Sequence, residues 1–209
     1  MRIWGGKIRM QKAVIYIHCK GGTAAEAEHY KALFKNADVI GFNYQSVNPW
    51  EAKEEFQHFF DTVSTKYKAV SIIANSIGAF FTMNVLADRN IEKAFFISPI
   101  INMEKLISDM MVWANVTEEQ LQKEKEIETS FGETLSWEYL CYVKEHPITW
   151  NIPTKILYGE KDHLTSYETM SDFATKMRIP LTVMDNGEHC FHTDEQMKFL
   201  DDWICESNR

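Results

Sequence analysis

Long apolar segments and an excess of positive charge are both missing from this chain of 209 residues. No run approaches the roughly 18 apolar residues that a membrane-spanning helix needs. Residues 1–7 also lack the apolar core of a signal peptide. The formal net charge of −8 argues against nucleic acid or an anionic membrane surface as the main partner. We therefore expect a cytoplasmic protein without a membrane span.

Paired cysteine motifs are missing as well. The chain has four cysteines without CxxC spacing: Cys19, Cys141, Cys190 and Cys205. Reduced thiols are the simpler interpretation. Four His and Cys side chains invite comparison with a metal site: His18, His189, Cys190 and His192. Their spacing matches no zinc pattern, so we expect neither a metal nor another cofactor.

Buried-strand signals instead alternate with helical patterns along most of the chain. The predicted strands are residues 13–17, 38–42, 69–73, 93–97, 154–158 and 181–184. The predicted helices are residues 23–34, 49–67, 77–88 and 193–205. This alternation predicts an α/β fold in three layers, with a mainly parallel sheet of about six strands flanked by helices. Residues 1–11 are open to two interpretations, a small hairpin around Gly5-Gly6 or a loose leader.

One stretch breaks the alternation, residues 100–151, which we call the insertion. Its pattern predicts helices near residues 103–113, 117–127 and 136–145, rich in Met and Trp. We expect a single domain over residues 1–209, with the insertion either covering the active site as a small helical cap or packing on the sheet as a plain connection.

The motif Ala-Asn-Ser-Ile-Gly-Ala, residues 74–79, follows a buried strand and begins a helical pattern. Small residues lie two before and two after Ser76, where a side chain larger than a methyl would collide between strand and helix. The motif resembles the nucleophile elbow of the α/β-hydrolases, with Ala74 in place of the usual Gly. The alternative is that Ser76 only caps the helix.

In the family that this motif resembles, the nucleophile is followed along the chain by an acid and then a histidine, each on a loop after a later strand. Tyr-Gly-Glu-Lys-Asp-His, residues 158–163, is similar to the acid loop and places Asp162 as the acid. Asn-Gly-Glu-His, residues 186–189, is similar to the histidine loop and places His189 as the base. The resemblance therefore covers almost the whole chain.

Other interpretations of these loops stay open. Asp162 could instead start a helix near Thr165, with Glu160 as the fallback acid, and His192 competes with His189 as the base. His29 and His163 are interpreted as surface residues.

An oxyanion hole needs two N–H donors, and the resemblance suggests both. Ile77 follows the nucleophile and supplies one from the start of its helix. Residues 18–22, His-Cys-Lys-Gly-Gly, resemble the His-Gly-x-Gly loop of the family, so that Lys20 offers the second backbone N–H. Cys19 replaces a Gly there and would be strained at positive φ. The Lys20 side chain either places a cation at the mouth of the site or is simply solvated.

The substrate-binding residues follow from topology and composition. If strand order reverses between the first and third strands, ligands bind at that switch point, flanked by His18 and Ser76. Met111, Trp113 and Trp137 of the insertion suggest an apolar acyl pocket, and packing of the insertion explains them equally well. Cys19 and Cys190 should lie near one another, as inert packing or as a redox-sensitive pair.

The expected function is a serine hydrolase that cleaves a small ester or thioester through Ser76, His189 and Asp162 and an acyl-enzyme. Two alternatives remain open. The same three residues could act on a carbon–carbon bond, on a peptide or in perhydrolysis, since one fold hosts many chemistries. A binding protein that has lost activity is the other. The sequence leaves the oligomeric state open.

Overall fold

A computed structural model describes residues 12–208 of the chain. The predicted hairpin or leader over residues 1–11 lies outside this range. The strands are β1 (Lys12–Ile17), β2 (Asp38–Phe42), β3 (Ala69–Asn75), β4 (Lys93–Ile97), β5 (Glu126–Glu128), β6 (Thr134–Ser136), β7 (Thr154–Gly159) and β8 (Leu181–Met184). The helices are α1 (Ala27–Tyr30), α2 (Pro49–Lys66), α3 (Ile77–Leu86), α4 (Met103–Ala114), α5 (Glu118–Glu124), α6 (Trp137–Glu145), α7 (Tyr167–Met177) and α8 (Asp194–Ser207).

Six of these strands form one parallel sheet in the order β2-β1-β3-β4-β7-β8. The chain runs outward from β1 to β2 and then returns to the other side of β1 to form β3. Strand order therefore reverses between β1 and β3, as predicted, and the loops that follow these two strands meet at the carboxyl edge of the sheet. The six-stranded α/β architecture is confirmed.

Alternating residues of each strand face opposite layers, because side chains in a strand point alternately up and down. In β1, Ile15 and Ile17 belong to a core shared with α2, α3 and the insertion. Val14 and Tyr16 face a smaller core that contains residues of α1 and α8. The sheet is thus buried on both faces, which explains why its strands are continuous apolar runs.

Most predicted boundaries agree with the structure to within two residues. The insertion is an exception, because the helix predicted for residues 117–127 ends at Glu124. Lys125 has a positive φ of 70°, and the chain then forms the antiparallel hairpin β5-β6. Strands of three residues are too short to show a period-2 pattern, so the sequence does not reveal them.

The helix predicted over residues 23–34 is also different. The chain forms a 3₁₀ turn at Ala24–Glu26 and then the single turn of α1. Further bonds of the i→i+3 type, Leu33 N–H to the Tyr30 carbonyl and Ala37 N–H to the Phe34 carbonyl, replace an α-helical continuation. We refer to residues 18–30, from the end of β1 to the end of α1, as the 18–30 segment.

No helix within residues 12–208 is both long and apolar enough to cross a membrane.

Candidate active site

Ser76 lies at a sharp turn between β3 and α3, with φ 51° and ψ −120°. Strand β4 and the loop that follows it hold this conformation in place. The Ser76 N–H donates to the Ile97 carbonyl at 3.0 Å, and the Ser76 carbonyl accepts from the Ile100 N–H at 3.2 Å. The Ser76 hydroxyl makes no hydrogen bond to the start of α3, so helix capping does not explain this serine. A non-glycine residue at such a φ is uncommon and costs about 1–3 kcal/mol.

The close approach of α3 to β1 explains why residue 78 is a glycine. A Cβ atom on Gly78 would lie 2.5 Å from the carbonyl oxygen of His18. The His18 carbonyl is part of the backbone and cannot move away without a large cost in free energy, so even a methyl group does not fit at residue 78. The sequence predicts that only side chains larger than a methyl collide at these two positions. At Gly78 this prediction is wrong, because a methyl already collides there. At Ala74 the methyl fits and is fully buried.

Three side chains form a continuous hydrogen-bonded chain at this turn. Nε2 of His189 lies 2.8 Å from Oγ of Ser76, and Nδ1 of His189 lies 2.7 Å from Oδ2 of Asp162. A carboxylate can only accept, so Nδ1 carries the proton and Nε2 is left to accept from the serine hydroxyl. All three residues are at most 8% exposed. The structure thus brings the three predicted residues together from three loops.

Asp162 serves two purposes at once. While Oδ2 faces the histidine, Oδ1 accepts the backbone N–H groups of Leu164 at 2.8 Å and Thr165 at 3.2 Å. These bonds fix the plane of the carboxylate and so the position of His189. The following helix, α7, begins later and is capped by Ser166, so helix capping is not the role of Asp162.

The competing residues point elsewhere. Glu160 accepts the backbone N–H of Asn186 at 2.8 Å and joins the acid loop to the histidine loop. His192 is exposed, with Nδ1 2.8 Å from the Cys190 carbonyl oxygen. His163 and His29 are exposed as expected; the ring of His163 lies 6.2 Å from that of His189. His29 contacts Asp201 at 2.6 Å.

The acid loop and the histidine loop touch at a glycine. A Cβ atom on Gly159 would lie 2.4 Å from the Glu188 carbonyl oxygen and 2.6 Å from the Gly187 backbone. The residue at this position must therefore lack a side chain for His189 to reach Asp162.

The predicted oxyanion donors lie at the start of α3 and in the turn after β1. Ile77 is the first residue of α3, where an N–H has no partner within the helix. Lys20 lies in the turn after β1, with an exposed side chain paired to Glu133 of the insertion. Positive φ falls on Gly21, at 75°, and not on Cys19. The cysteine that replaces the family's Gly is therefore unstrained.

A cavity of about 350 Å³ opens beside Ser76 and His189. It extends over the face of the sheet that α1 and α8 cover, between the 18–30 segment and the loop after His189. Its walls include apolar side chains of four elements, β1, α1, β4 and α8: Tyr16, Tyr30, Ile97 and Leu200. Cys19 and Cys190 also line it. Burial raises the pKa of both thiols, so both are neutral near pH 7.

The residues predicted to bind substrate are not among those that line this cavity. Met111 is buried in the core, and Trp113 is 52% exposed with its ring on Phe131. Trp137 packs beside Lys125. His18 is buried and stacks on Tyr44, with ring centroids 4.2 Å apart. Its carbonyl oxygen lies beside Gly78 of the elbow, and the residue is not among those that line the cavity.

Sequence reasoning missed a chain of polar side chains that does line the cavity. Asn75 Nδ2 donates to the Tyr16 hydroxyl at 3.0 Å, and that hydroxyl donates to the Glu26 carboxylate. Glu26 also accepts the Thr23 N–H at 2.7 Å, which is the arrangement of a capping box. Only this local role could be predicted, since the contact with Tyr16 depends on how the 18–30 segment folds back on β1.

No group of three His, Cys, Asp or Glu side chains within residues 12–208 is arranged to hold a metal ion. The four cysteines are free.

Comparisons with known proteins show the fold. No family model matches the chain, and no curated protein matches it. Among solved structures, it is similar to Est1E from Butyrivibrio proteoclasticus, with a TM-score of 0.74 and 15% identity over 98% of this chain and 89% of that one. It is also similar to alpha/beta hydrolase domain-containing protein 10 from mouse, with a TM-score of 0.74 and 12% identity over 94% and 89%.

A third similar structure is an alpha-beta serine hydrolase homologue from Coxiella burnetii, with a TM-score of 0.63 and 14% identity over 96% of this chain and 86% of that one. These neighbours are hydrolases and esterases by description. At such low identity the likeness establishes the architecture, and the chain therefore has the α/β-hydrolase fold that the elbow motif predicted.

Proposed function

We propose that this protein is a serine hydrolase that cleaves a small ester or thioester through Ser76, His189 and Asp162. The observation that carries the proposal is the hydrogen-bonded chain from the serine hydroxyl through the imidazole to the buried carboxylate, at 2.8 and 2.7 Å. These distances let a base remove the proton from a nucleophile while an acid orients that base. A cavity large enough for a small acyl or alcohol group opens beside the same serine.

In the proposed reaction, Oγ of Ser76 attacks the acyl carbon as Nε2 of His189 takes the hydroxyl proton. The carboxylate of Asp162 stabilises the resulting imidazolium, and the N–H groups of Ile77 and Lys20 bind the developing oxyanion. Collapse of the tetrahedral intermediate expels the alcohol or thiol, which takes the proton from His189. Water then attacks the acyl-serine, again with His189 as base, and releases the acid. Every group that acts on the substrate in these steps belongs to this chain or to water.

Labelling with a fluorophosphonate probe tests the proposal. Because such probes react with an activated serine, we expect one label, on Ser76, and turnover of at least one short chromogenic ester. Ser76→Ala should abolish both while the far-UV circular dichroism stays unchanged. Ser108→Ala is a matched control, since this serine lies exposed on α4 and donates only to the Glu104 carbonyl.

The other outcomes separate the alternatives. A folded protein that does not label at Ser76 would overturn the proposal and favour a binding protein. Labelling at Ser76 without turnover of any ester or thioester would retain the nucleophile and shift the reaction to a carbon–carbon or peptide bond.

A further inference from the structure

The cavity beside Ser76 has one carboxylate in its walls and no lysine or arginine among the described residues that line it. That carboxylate belongs to Glu26. From this charge pattern we infer that the cavity binds a positively charged group of the substrate. The preferred substrates are then esters or thioesters with a cationic acyl or alcohol group, and Glu26 determines this preference. The inference rests on the proposed hydrolase function.

Two hydrogen bonds hold the Glu26 carboxylate at the cavity. Oε2 accepts from the Tyr16 hydroxyl, and Oε1 accepts from the Thr23 N–H at 2.7 Å. The Tyr16 hydroxyl in turn accepts from Nδ2 of Asn75 at 3.0 Å, and Asn75 precedes Ser76 in the chain. Burial raises the pKa of Tyr16, so the hydroxyl keeps its proton. Both donors to Glu26 are therefore neutral, and they fix its negative charge near the proposed nucleophile without cancelling it.

Basic side chains near the cavity do not compensate this charge. Lys20, in the turn after β1, pairs with Glu133 of the insertion. His29 lines the cavity, but its Nε2 lies 2.6 Å from Oδ1 of Asp201. This pair has no net charge when the imidazole is protonated and one negative charge when it is not, so it never makes the cavity positive.

A thiol on the other side of the cavity experiences the same charge. Cys190 lines the cavity on the loop opposite the 18–30 segment. Burial raises the pKa of its thiol, and the carboxylates of Asp162, Glu188 and Glu26 raise it further. The negative potential therefore extends across the cavity, between apolar walls that weaken the screening by water. A cation placed there is stabilised, and an anion is repelled.

Esters of matched shape and different charge test this preference. In an acyl series, 4-(trimethylammonio)butanoate is the cation, 5,5-dimethylhexanoate is its neutral isostere with carbon in place of nitrogen, and a glutarate monoester is an anion of similar length. In an alcohol series, 2-(trimethylammonio)ethyl and 3,3-dimethylbutyl esters are the matching cation and isostere. We expect kcat/KM for the cationic ester to exceed that for its isostere about tenfold in at least one series, which corresponds to about 1.4 kcal/mol. The preference should shrink in about 1 M salt, where charges are screened within about 3 Å.

The variant Glu26→Gln should remove the preference. The glutamine oxygen can still accept the Thr23 N–H, so the capping box is retained while the charge is lost. We expect the ratio of kcat/KM for the cationic and neutral esters to fall by the same factor. Differences in intrinsic ester reactivity cancel, because the same esters are compared in both proteins.

Glu28→Gln is the charge-matched control. This exposed carboxylate pairs with Lys31 and is not among the residues that line the cavity. Its ratio should therefore equal that of the wild type.

A second variant tests the same charge without changing Glu26. Met197 of α8 is half-buried and lines the cavity, so Met197→Lys adds a cation there and leaves the hydrogen bonds of Glu26 in place. We expect the cationic ester to lose its advantage and the glutarate monoester to gain in kcat/KM relative to the neutral isostere. If Glu26→Gln does not fold, Met197→Lys decides alone.

Equal ratios in the wild type, Glu26→Gln and Met197→Lys would overturn the inference while ester turnover continued. A wild type that prefers the glutarate monoester to the neutral isostere, and keeps that preference in Glu26→Gln, would also overturn it and would assign charge recognition to Lys20. The absence of ester turnover and of fluorophosphonate labelling at Ser76 would instead overturn the proposed function. The two failures are therefore distinguishable.

Discussion

The insertion is more apolar than the 18–30 segment, yet the 18–30 segment contributes more to the candidate site. The insertion is long and rich in Met and Trp, yet Met111 is part of the core and Trp113 lies on Phe131 at the surface. The 18–30 segment is short and forms hardly more than one helical turn, yet Cys19, Glu26 and Tyr30 line the cavity. Apolar side chains that pack well against each other leave no space for a cavity, whereas a helix that ends after one turn leaves such a space.

The largest effect should come from Gly78 of α3, which packs against the 18–30 segment, whereas Gly132 of the insertion should matter little for activity. In Gly78→Ala, the new methyl meets the His18 carbonyl at 2.5 Å and pushes the 18–30 segment away from Ser76. We expect kcat/KM to fall about 100-fold, because a displacement near 1 Å has such an effect at an active site. Gly132→Ala, at the tip of the β5-β6 hairpin, meets no atom within 4 Å.

Gly132 has a positive φ of 84°, so its replacement should cost about 1 kcal/mol of stability and leave kcat/KM unchanged. Ester hydrolysis and thermal unfolding, measured on both variants, give the comparison. Equal loss of activity in the two would mean that the hairpin belongs to the site.

A smaller effect should come from filling the cavity. Met197 of α8 lines it, so Met197→Trp should lower kcat/KM about tenfold for the larger esters of a chain-length series and little for the smallest, in line with the 1–3 kcal/mol that steric fit typically contributes. Trp113→Ala removes a larger side chain from the insertion and should leave the chain-length profile unchanged. A change of profile in Trp113→Ala alone would assign the substrate to the insertion.

The pH dependence of stability should be similar in the two regions. Burial raises the pKa of Tyr16, beside the cavity, and of Tyr139, in α6 of the insertion. Each unfolded tyrosine ionises near pH 10 while the folded one stays neutral, so stability is complete below pH 10 and falls as pH rises above it. Tyr16→Phe and Tyr139→Phe should each reduce that fall by about 1.4 kcal/mol per pH unit.

Urea unfolding between pH 9 and pH 11.5 measures this slope. If neither phenylalanine variant changes it, the two hydroxyls ionise in the folded protein as they do in water.

The smallest effect concerns the one ion pair described between the two regions, Lys20 with Glu133. The two side chains are 66% and 39% exposed, so the pair should contribute less than 1 kcal/mol. Glu133→Gln should therefore change kcat/KM less than twofold, at low and at high salt. A larger effect that disappears in salt would show that the insertion positions the 18–30 segment through this contact.

The sheet could be predicted because its strands are buried on both faces and so appear as short apolar runs. Ser76, Asp162 and His189 could be proposed from the sequence because their loops resemble those of the α/β-hydrolases and each follows such a run. The cavity could not be predicted from the sequence, because it depends on the residue at which the 18–30 segment stops being helical. The contact from Tyr16 to Glu26 depends on the same folding back, and the β5-β6 hairpin is too short to leave a pattern.

The left-handed backbone of Ser76 has an evolutionary consequence. Glycine adopts φ 51° without the steric conflict that a side chain meets, so the residue that best suits this turn has no nucleophile. Under the proposed function, selection for hydrolysis and selection for folding therefore oppose each other at this one position. A descendant released from the need to hydrolyse anything should drift to Gly at residue 76 and become harder to unfold as its chemistry is lost.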